Sequence, residues 1–208
     1  QLLNEFVEPF NLSESPLLRA KVVQITENKS ILIIDIHHII CDGVSKKTLL
    51  GDLSKFYEGK YLATPEIQYK DYSVWENNRE LFGQKNYWLN EFAEEIPVLD
   101  LITDNPRTQK KSFKGQNIIT KLGLKYKNAI KQLEKETGAT EYMVLLSTFM
   151  LLLSRYSRQE EIVVGSPISG RTHSDTIDML GMFVNTLAIK GNIQSSQRFI
   201  DLVAQLRE

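Results

Sequence analysis

Several residue types and patterns are scarce in this sequence, and each scarcity excludes a class of protein. A single cysteine among 208 residues excludes an internal disulfide and a cysteine-based zinc cluster, and it agrees with a reducing cytoplasm, where we expect the protein to act. The most apolar run, residues 143–153, is too short to span a bilayer and indicates a buried helix. We therefore expect no membrane partner.

An excess of charge of one sign is also missing. Lys and Arg together number 25 against 26 for Asp and Glu, which leaves a formal net charge of -1. A protein that binds nucleic acid or an anionic surface through its overall charge needs a clear basic excess. Binding must therefore come from local sites, and we predict no nucleic-acid partner. The sequence also shows no evident metal site, and we predict none.

The apolar pattern predicts a mixed fold in which strands and helices alternate. Aliphatic runs bounded by polar or turn residues predict strands, and a period near 3.6 residues predicts helices. The helix 140–156 is apolar nearly all round, which indicates burial between layers. The predicted strands are 17–23, 30–40, 116–122 and 161–165, and the predicted helices are the segment from Gly43 to Gly59, 69–92 as one helix broken near Gly83 or two helices, 124–135 ending at Gly138, 140–156, and the segment from Phe199.

A polar connection near Pro106 predicts how the chain divides. Residues 104–111 are polar and include a proline, which is typical of a segment between two compact parts. We therefore predict two lobes, residues 1–110 and residues 111–208, each built from a sheet covered by helices. The predicted fold class is α/β or α+β, and we expect the chain to be incomplete at both ends.

The histidine pair at the end of the second predicted strand is the first candidate site. Adjacent side chains of a strand point to opposite faces, so His37 and His38 cannot both reach one small ligand. A histidine at the exposed end of a strand can act as a hydrogen-bond acceptor or a general base near neutral pH. One of the two is therefore expected to be functional and the other structural.

Asp42 and Gly43 follow where the chain turns into the next predicted helix. A carboxylate at this point can cap the helix or pair with an arginine, and a glycine allows a sharp turn and a close approach of the backbone. A simpler alternative stays open: the histidines only end a core strand, Asp42 is only a helix cap, and Gly43 is only a turn glycine.

Five segments together resemble one known family. Residues 37–43 follow His-His-x-x-x-Asp-Gly, a pattern of acyltransferases related to chloramphenicol acetyltransferase that include the condensation and epimerisation domains of nonribosomal peptide synthetases. Residues 9–19 resemble the segment before this motif in condensation domains, and residues 69–75 resemble their Tyr-x-Asp-Tyr-Ala-Val-Trp motif. Residues 164–171 and 180–187 resemble the signature ending in Phe-Val-Asn-Thr. The order and spacing agree, and the resemblance covers essentially the whole chain.

The resemblance implies a two-lobed chloramphenicol-acetyltransferase-like fold and a reaction. The family joins a donor acyl or peptidyl thioester to the amine of an acceptor aminoacyl thioester in a tunnel between the lobes. In this chain the resemblance makes His38 the base or the amine-positioning group, with His37 supporting it. Asp42 has a structural role beside Gly43 in the same motif.

The resemblance also implies residues along the channel for the phosphopantetheine arm and an arginine partner for Asp42. That partner is Arg171, Arg19 or a residue upstream of the chain, and the sequence leaves the three open. For Ser45, capping of the following helix is the alternative to a channel role. The channel candidates are Ser45, Ser166, Arg171 and Asn185.

The substrates and partners follow from the same resemblance. Phosphopantetheine arms of a donor and an acceptor peptidyl carrier protein bring the thioesters, an adenylation domain adjoins, and no cofactor is bound directly. The chain shows no adenylation signature and no serine motif for pantetheine attachment. We expect the 208 residues alone to be inactive.

The alternatives are two related enzymatic domains and, from a different class, a module without catalytic activity. An epimerisation domain lacks the Phe-Val-Asn-Thr that residues 183–186 supply, and a heterocyclisation domain replaces the paired histidines with an aspartate-based motif. A catalytically silent module that recruits carrier proteins usually loses the motif histidines. This chain retains His38, but the presence of that histidine does not by itself prove activity. His173 is expected to make surface-loop hydrogen bonds, and Cys41 is not expected to be a nucleophile because the reaction needs no acyl-enzyme.

Overall fold

A computed structural model describes residues 5–106 and 115–207 of the protein. By its internal contacts the chain divides into two compact units: the residues up to Phe82 together with Pro167–Asn185, and Gly83–Ser166 together with the residues from Thr186 onward. The predicted lobe boundary at residue 110 lies outside the described residues, so the two lobes stay a prediction.

The first unit contains an antiparallel pair of strands, β1 (Leu18–Thr26) and β2 (Lys29–Ile36). Leu18 lies opposite Ile36 in this pair. Both strands were predicted, but the predicted extension of the second to residue 40 is wrong. The chain leaves the sheet after β2 and forms a single 3₁₀ turn, His38–Ile40.

Two helices complete the regular structure near the histidines, as the periodicity predicted. The first, α1 (Gly43–Tyr57), ends shortly before Gly59, whose backbone has φ +73°, a left-handed conformation that favours glycine. The second is preceded by Gln68 and holds its first turn with a capping box in which Asp71 accepts from the Gln68 N–H. Their bounds are Gly43–Tyr57 for α1 and Tyr69–Asn77 for α2.

The remaining helices confirm most of the predicted bounds. The aromatic segment 69–92 forms two helices, α2 and α3, with the break at residues 78–81. Gly138 ends α4 (Leu124–Thr137) with φ +67°, and the Thr140 hydroxyl caps α5 (Glu141–Ser157) by accepting from the Met143 N–H at 3.3 Å. These helices are α3 (Phe82–Glu91), α4 (Leu124–Thr137), α5 (Glu141–Ser157) and α6 (Phe199–Gln205).

A second strand pair joins β3 (Glu161–Ile168) to β4 (Asn185–Asn192). The prediction of a strand at 116–122 is wrong, because residues 115–123 form no regular element. Ile118 is 92% exposed and Ile119 is 87% exposed, and among the described residues no strand lies beside them. An aliphatic run without a neighbouring strand has no ladder of hydrogen bonds to join.

The core of the second unit lies between α5, β3 and α6. Met150 and Ile162 are fully buried there and pack with Ile193 and Leu202. A second cluster joins Val144 to Val203. The prediction that α5 is buried on all sides is wrong for the described residues, because one face of the helix is exposed: Tyr142, Leu145, Phe149, Leu152 and Tyr156.

Among the described residues, no single helix has the length and apolar character needed to cross a membrane. Of the helices that the structure describes, only α4 and α5 counted together reach that length and composition, and the pair is bent by 105° at its break.

Candidate functional site

The histidine turn lies at the point where the chain passes from β2 to α1. The His37 N–H donates to the Leu17 carbonyl at 3.0 Å, so the backbone still follows the strand at this residue. His38 already belongs to the 3₁₀ turn. The alternation of side chains along a strand therefore does not describe this pair, although the two imidazoles do have different surroundings.

His37 uses its ring to shape the turn. Its Nδ1 accepts a hydrogen bond from the Ile39 N–H at 3.1 Å, and its ring lies edge-on to Phe10 at 5.9 Å. A neutral imidazole that accepts at Nδ1 carries its proton on Nε2. His37 is half-buried, and its contacts make it a structural residue.

His38 is exposed. Within the described part of the first unit, its ring makes no hydrogen bond and no ion pair. Its backbone carbonyl accepts from the Cys41 N–H at 3.3 Å, which closes the turn. The backbone that carries the His38 imidazole is therefore fixed, while the ring itself makes no polar contact within the described part of that unit.

Cys41 is buried beside the turn. Burial raises the pKa of its thiol above the ordinary value, so the thiol is neutral at physiological pH. Since the thiolate is the reactive form of cysteine, this geometry agrees with the prediction that Cys41 is not a nucleophile.

Asp42 connects the turn to the rest of the first unit. Its side chain is 1% exposed and caps α1 by accepting from the Ser45 N–H at 2.7 Å. It also accepts from the Phe183 N–H at 3.3 Å. A buried carboxylate needs such donors, because an unpaired charge away from water is costly.

Arg171 supplies the charge that balances Asp42. Its Nη2 donates to both carboxylate oxygens, at 2.9 and 3.1 Å, and the guanidinium group is only 4% exposed. Arg19, the other arginine considered from the sequence, instead pairs with Asp35 at 2.9 Å. Of the arginines within the chain, the structure therefore places Arg171 beside Asp42.

Two opposing effects set the pKa of the Asp42 carboxyl. Burial raises this pKa, but the hydrogen bonds from the Ser45 N–H, the Arg171 guanidinium and the Phe183 N–H act in the other direction and together lower it below the usual value. Hydrogen bonds to a carboxylate stabilise its charged form. Asp42 is therefore ionised at neutral pH.

Ser45 belongs to the same buried network. Its hydroxyl donates to the Gly181 carbonyl at 2.8 Å and accepts from the Gly181 N–H at 3.0 Å and from Arg171 Nη2 at 2.8 Å. The residue has no exposed surface. A hydroxyl that is fully buried and occupied cannot touch a pantetheine arm, so the structure does not support the predicted channel role of Ser45.

Arg171 is likewise unavailable as a channel residue. Its Nη1 donates to the carbonyls of Thr176, Ile177 and Met179, and its guanidinium carbon lies 4.1 Å from the centre of the Phe183 ring. The arginine therefore holds the segment 171–183 in shape while it pairs with Asp42. Its position indicates an internal brace.

Sequence reasoning assigned no role to the two glycines and the tyrosine that hold this segment in place. Gly170 has φ +67°, and a Cβ there would lie 1.9 Å from the Phe183 carbonyl oxygen. The Tyr69 ring packs directly on Gly181, and its hydroxyl donates to the Met182 carbonyl at 2.7 Å. The motif resemblance already contained these residues, but only the fold shows that α2 packs against the segment.

The remaining predicted site residues are Gly43, Ser166 and Asn185. Gly43 does not have a positive φ and a Cβ there would meet nothing within 4 Å, so the predicted need for glycine in a sharp turn is not observed. Ser166 belongs to the second unit, where its hydroxyl lies 2.5 Å from the Tyr142 hydroxyl. Asn185 is exposed at the first position of β4.

The site is therefore a braced turn. Among the described residues, no group of three or more His, Cys, Asp or Glu side chains is placed to hold a metal ion. The structure brings His37, His38, Asp42, Ser45 and Arg171 together in one unit. This combination can present one imidazole to a ligand with little freedom to move.

The sequence model described as Condensation domain matches residues 1–208. The chain belongs to the condensation domain family. Its relatives include gramicidin S synthase 2 of Aneurinibacillus migulanus, 44% identical over 100% of this chain, and surfactin synthase subunit 1 of Bacillus subtilis (strain 168), 41% identical over 100% of this chain. The chain spans only 5% and 6% of these two synthetases.

Solved structures agree on the fold of this condensation-domain chain. The X-domain from teicoplanin biosynthesis gives a TM-score of 0.85 at 19% identity, over 96% of this chain and 48% of that one. The first condensation domain of the CDA synthetase gives a TM-score of 0.74 at 16% identity, over 99% of this chain and 48% of that one. At these identities the likeness establishes the fold alone, and it confirms the predicted mixed, chloramphenicol-acetyltransferase-like class.

Proposed function

We propose that this chain carries the reaction centre of a domain that forms an amide bond between a donor acyl or peptidyl thioester and the amine of an acceptor aminoacyl thioester. Both substrates arrive on the phosphopantetheine arms of carrier proteins, and an adenylation domain belongs to the same assembly. The relatives at above 40% identity are peptide synthetases, which supports this reaction class.

The proposed step moves one proton as one bond forms and another breaks. The neutral amine nitrogen of the acceptor attacks the donor carbonyl carbon, the carbon–sulfur bond breaks, and the donor's pantetheine leaves as a thiolate. His38 accepts the proton that the amine loses, or holds the amine by a hydrogen bond, and that proton finally reaches the departing sulfur. No acyl-enzyme is needed, in agreement with the buried, neutral thiol of Cys41.

One observation carries the role of His38. Of the two motif histidines, His37 accepts a hydrogen bond from the Ile39 N–H through its Nδ1. His38 is exposed, and its ring makes no hydrogen bond within the described part of the first unit. The buried pair of Asp42 and Arg171 then fixes the backbone that follows. Such bracing favours catalysis because a reacting group that is already positioned loses less conformational entropy on reaching the transition state.

The magnitudes favour positioning over proton transfer as the larger effect. General-base assistance is typically worth about 10²–10⁴-fold, whereas holding two reactants in place supplies effective molarities of about 10⁵–10⁸ M. We therefore propose that His38 contributes the smaller part of the total rate enhancement. Asn185, which is exposed at the start of β4, remains the channel residue that we propose to contact a pantetheine arm.

The test is amide formation by the complete synthetase module with one loaded donor and one loaded acceptor carrier protein. His38→Ala is expected to lower the single-turnover rate by about 10²-fold or more. His173→Ala is the matched control, because it removes another exposed histidine and is expected to leave the rate within about twofold. A normal rate for His38→Ala would contradict the catalytic role.

The same assay separates the alternatives. An epimerisation domain would invert the α-carbon of a bound aminoacyl thioester without forming an amide, which chiral analysis of the released amino acid detects. A module that only recruits carrier proteins would bind both carriers and yield neither product.

A further inference from the structure

A cavity of about 230 Å³ lies in the first unit, and neither His37 nor His38 is among its lining residues. Its lining comes from α2 and from the segment around the 3₁₀ turn Ser174–Thr176, together with Ile67. Its apolar lining comes from Tyr72, Trp75, Ile67 and Met179. This volume is below the range of about 300–1,000 Å³ that is typical of drug-sized ligands, so it suits a group of the size of one side chain.

The charged groups of the lining are carboxylates. Asp71 and Asp175 both line the cavity, and among the described residues no lysine and no arginine lines it. Asp71 uses its Oδ2 to accept from the Gln68 N–H at 2.9 Å, and Asp175 accepts from the Ser174 hydroxyl through Oδ1 at 3.1 Å. These bonds come from neutral donors, so they leave both negative charges uncompensated.

His173 lines the same cavity without neutralising Asp175. Its Nδ1 accepts from the Asp175 N–H at 3.3 Å, so in the neutral ring the proton is on Nε2. The Nδ1 therefore has no proton to share with the Asp175 carboxylate, which lies 3.5 Å away. Lys70 belongs to α2 but is not among the residues that line the cavity. Arg79, which follows α2, lies over Trp75 at 4.7 Å but pairs with Glu76 at 2.8 Å.

We infer that this cavity binds an aliphatic cation, which is an ammonium or guanidinium group on a short apolar stem. The apolar stem would lie against Ile67 and Met179, and the cation would meet the aromatic rings and the two carboxylates. Aromatic faces attract such cations through their quadrupole. An anion would be repelled by Asp71 and Asp175, and a neutral apolar ligand would strip water from them without a compensating charge.

The occupant is either a free small amine or a lysine or arginine side chain of a protein partner, since both carry the same chemistry. The inference does not depend on the proposed amide formation, because neither His38 nor Asp42 lines this cavity. If the proposed amide formation is refuted, the proposed cation site is therefore unaffected, and the reverse also holds.

The test is hydrogen–deuterium exchange, followed by mass spectrometry, on the complete protein that contains this chain. n-Pentylammonium chloride is expected to slow exchange saturably in the peptides covering 69–77 and 173–179, compared with sodium chloride at equal concentration. n-Pentanol is the neutral isostere and is expected to protect these peptides much less. Equal protection by the two probes would overturn the inference, and so would protection by neither.

A substitution pair tests the role of the carboxylates. Asp175→Asn is expected to weaken n-pentylammonium binding about threefold, in the range of a partly exposed charge pair. Asp178→Asn removes an exposed carboxylate of the same segment that does not line the cavity, and it is expected to change nothing. Equal affinities for the two variants would overturn recognition by charge, provided that their exchange without ligand matches the parent protein.

A third probe identifies the source of the cation. Nα-acetyl-L-lysine methylamide carries the lysine side chain together with a peptide backbone. Binding as tight as that of n-pentylammonium supports a side chain of a protein partner, whereas exclusion of this probe alone supports a free amine.

Discussion

Asp42 is the residue on which the bracing of the histidine turn depends most. It accepts from the backbone at Ser45 and Phe183 and pairs with Arg171, and both charged side chains are almost completely buried. A buried ion pair adds little net stability compared with apolar residues of the same volume, but removal of one partner leaves an uncompensated charge. The pair is therefore better explained as a device that fixes one geometry than as a source of stability.

Replacement of Asp42 should show how much stability is lost when the buried charge of Arg171 has no partner. Asp42→Asn is expected to lower the free energy of unfolding of the complete condensation domain by about 3–5 kcal/mol, because Arg171 then stays buried without a counter-charge. Urea denaturation followed by circular dichroism measures the change. Asp35→Asn is the control, since it breaks the more exposed pair with Arg19 and should cost under about 1 kcal/mol. Equal losses in the two variants would contradict the assignment.

The lowered pKa of Asp42 also predicts an acid-dependent loss of stability. The unfolded chain takes up a proton on this carboxyl near pH 3.8, whereas the folded protein does so only at lower pH. The stabilisation by Asp42 is therefore complete above pH 3.8 and decreases as the pH falls through the folded-state pKa. The free energy of unfolding of Asp42→Asn should consequently depend less steeply on pH in that range, and an unchanged slope would contradict the proposed bonding.

At the scale of elements, the segment 170–183 is held between the start of α1 and the side of α2. The Asp42 N–H donates to the Gly181 carbonyl at 3.2 Å, and the Ser45 hydroxyl contacts the same residue. On the other side Tyr69 packs against Gly181. Three of the motifs found in the sequence thus meet around one glycine.

Substitution of that glycine tests the packing. A Cβ on Gly181 would lie 2.1 Å from the Tyr69 ring, so Gly181→Ala is expected to cost about 1–3 kcal/mol through overpacking. Gly51→Ala is the control, because Gly51 lies inside α1 with nothing within 4 Å of its Cβ, and it should stabilise the protein by up to about 1 kcal/mol. Thermal unfolding of both variants decides the question, and a harmless Gly181→Ala would show that the contact is loose.

The helices were more predictable from the sequence than the ends of the strands, for a physical reason. Periodicity and capping residues such as Thr140 and Gly138 are local signals, and α4 and α5 follow them within two residues. A strand depends on a neighbour that local sequence does not reveal, so residues 116–122 were predicted incorrectly. The partner of Asp42 was equally hidden, since 129 positions separate it from Arg171.

At the scale of the whole molecule, the chain matches about half of the solved chains of similar fold and a small part of its curated relatives. It covers 48% of the solved chains of similar fold and 5% of gramicidin S synthase 2. The exposed apolar face of α5 is larger than the scattered apolar residues of an ordinary protein surface. Because the chain matches only part of these proteins, the proposed reaction is best measured in the complete synthetase module.

The central claim is that one imidazole of the motif reacts while its neighbour shapes the turn. The most direct measurement applies the same substitution to each histidine and compares single-turnover rates of amide formation between two loaded carrier proteins. His37→Asn keeps an acceptor for the Ile39 N–H and should retain most of the rate, whereas His38→Asn removes the base and should lower the rate by about 10²-fold or more. Equal rates for the two variants, or a greater loss for His37→Asn, would contradict this account.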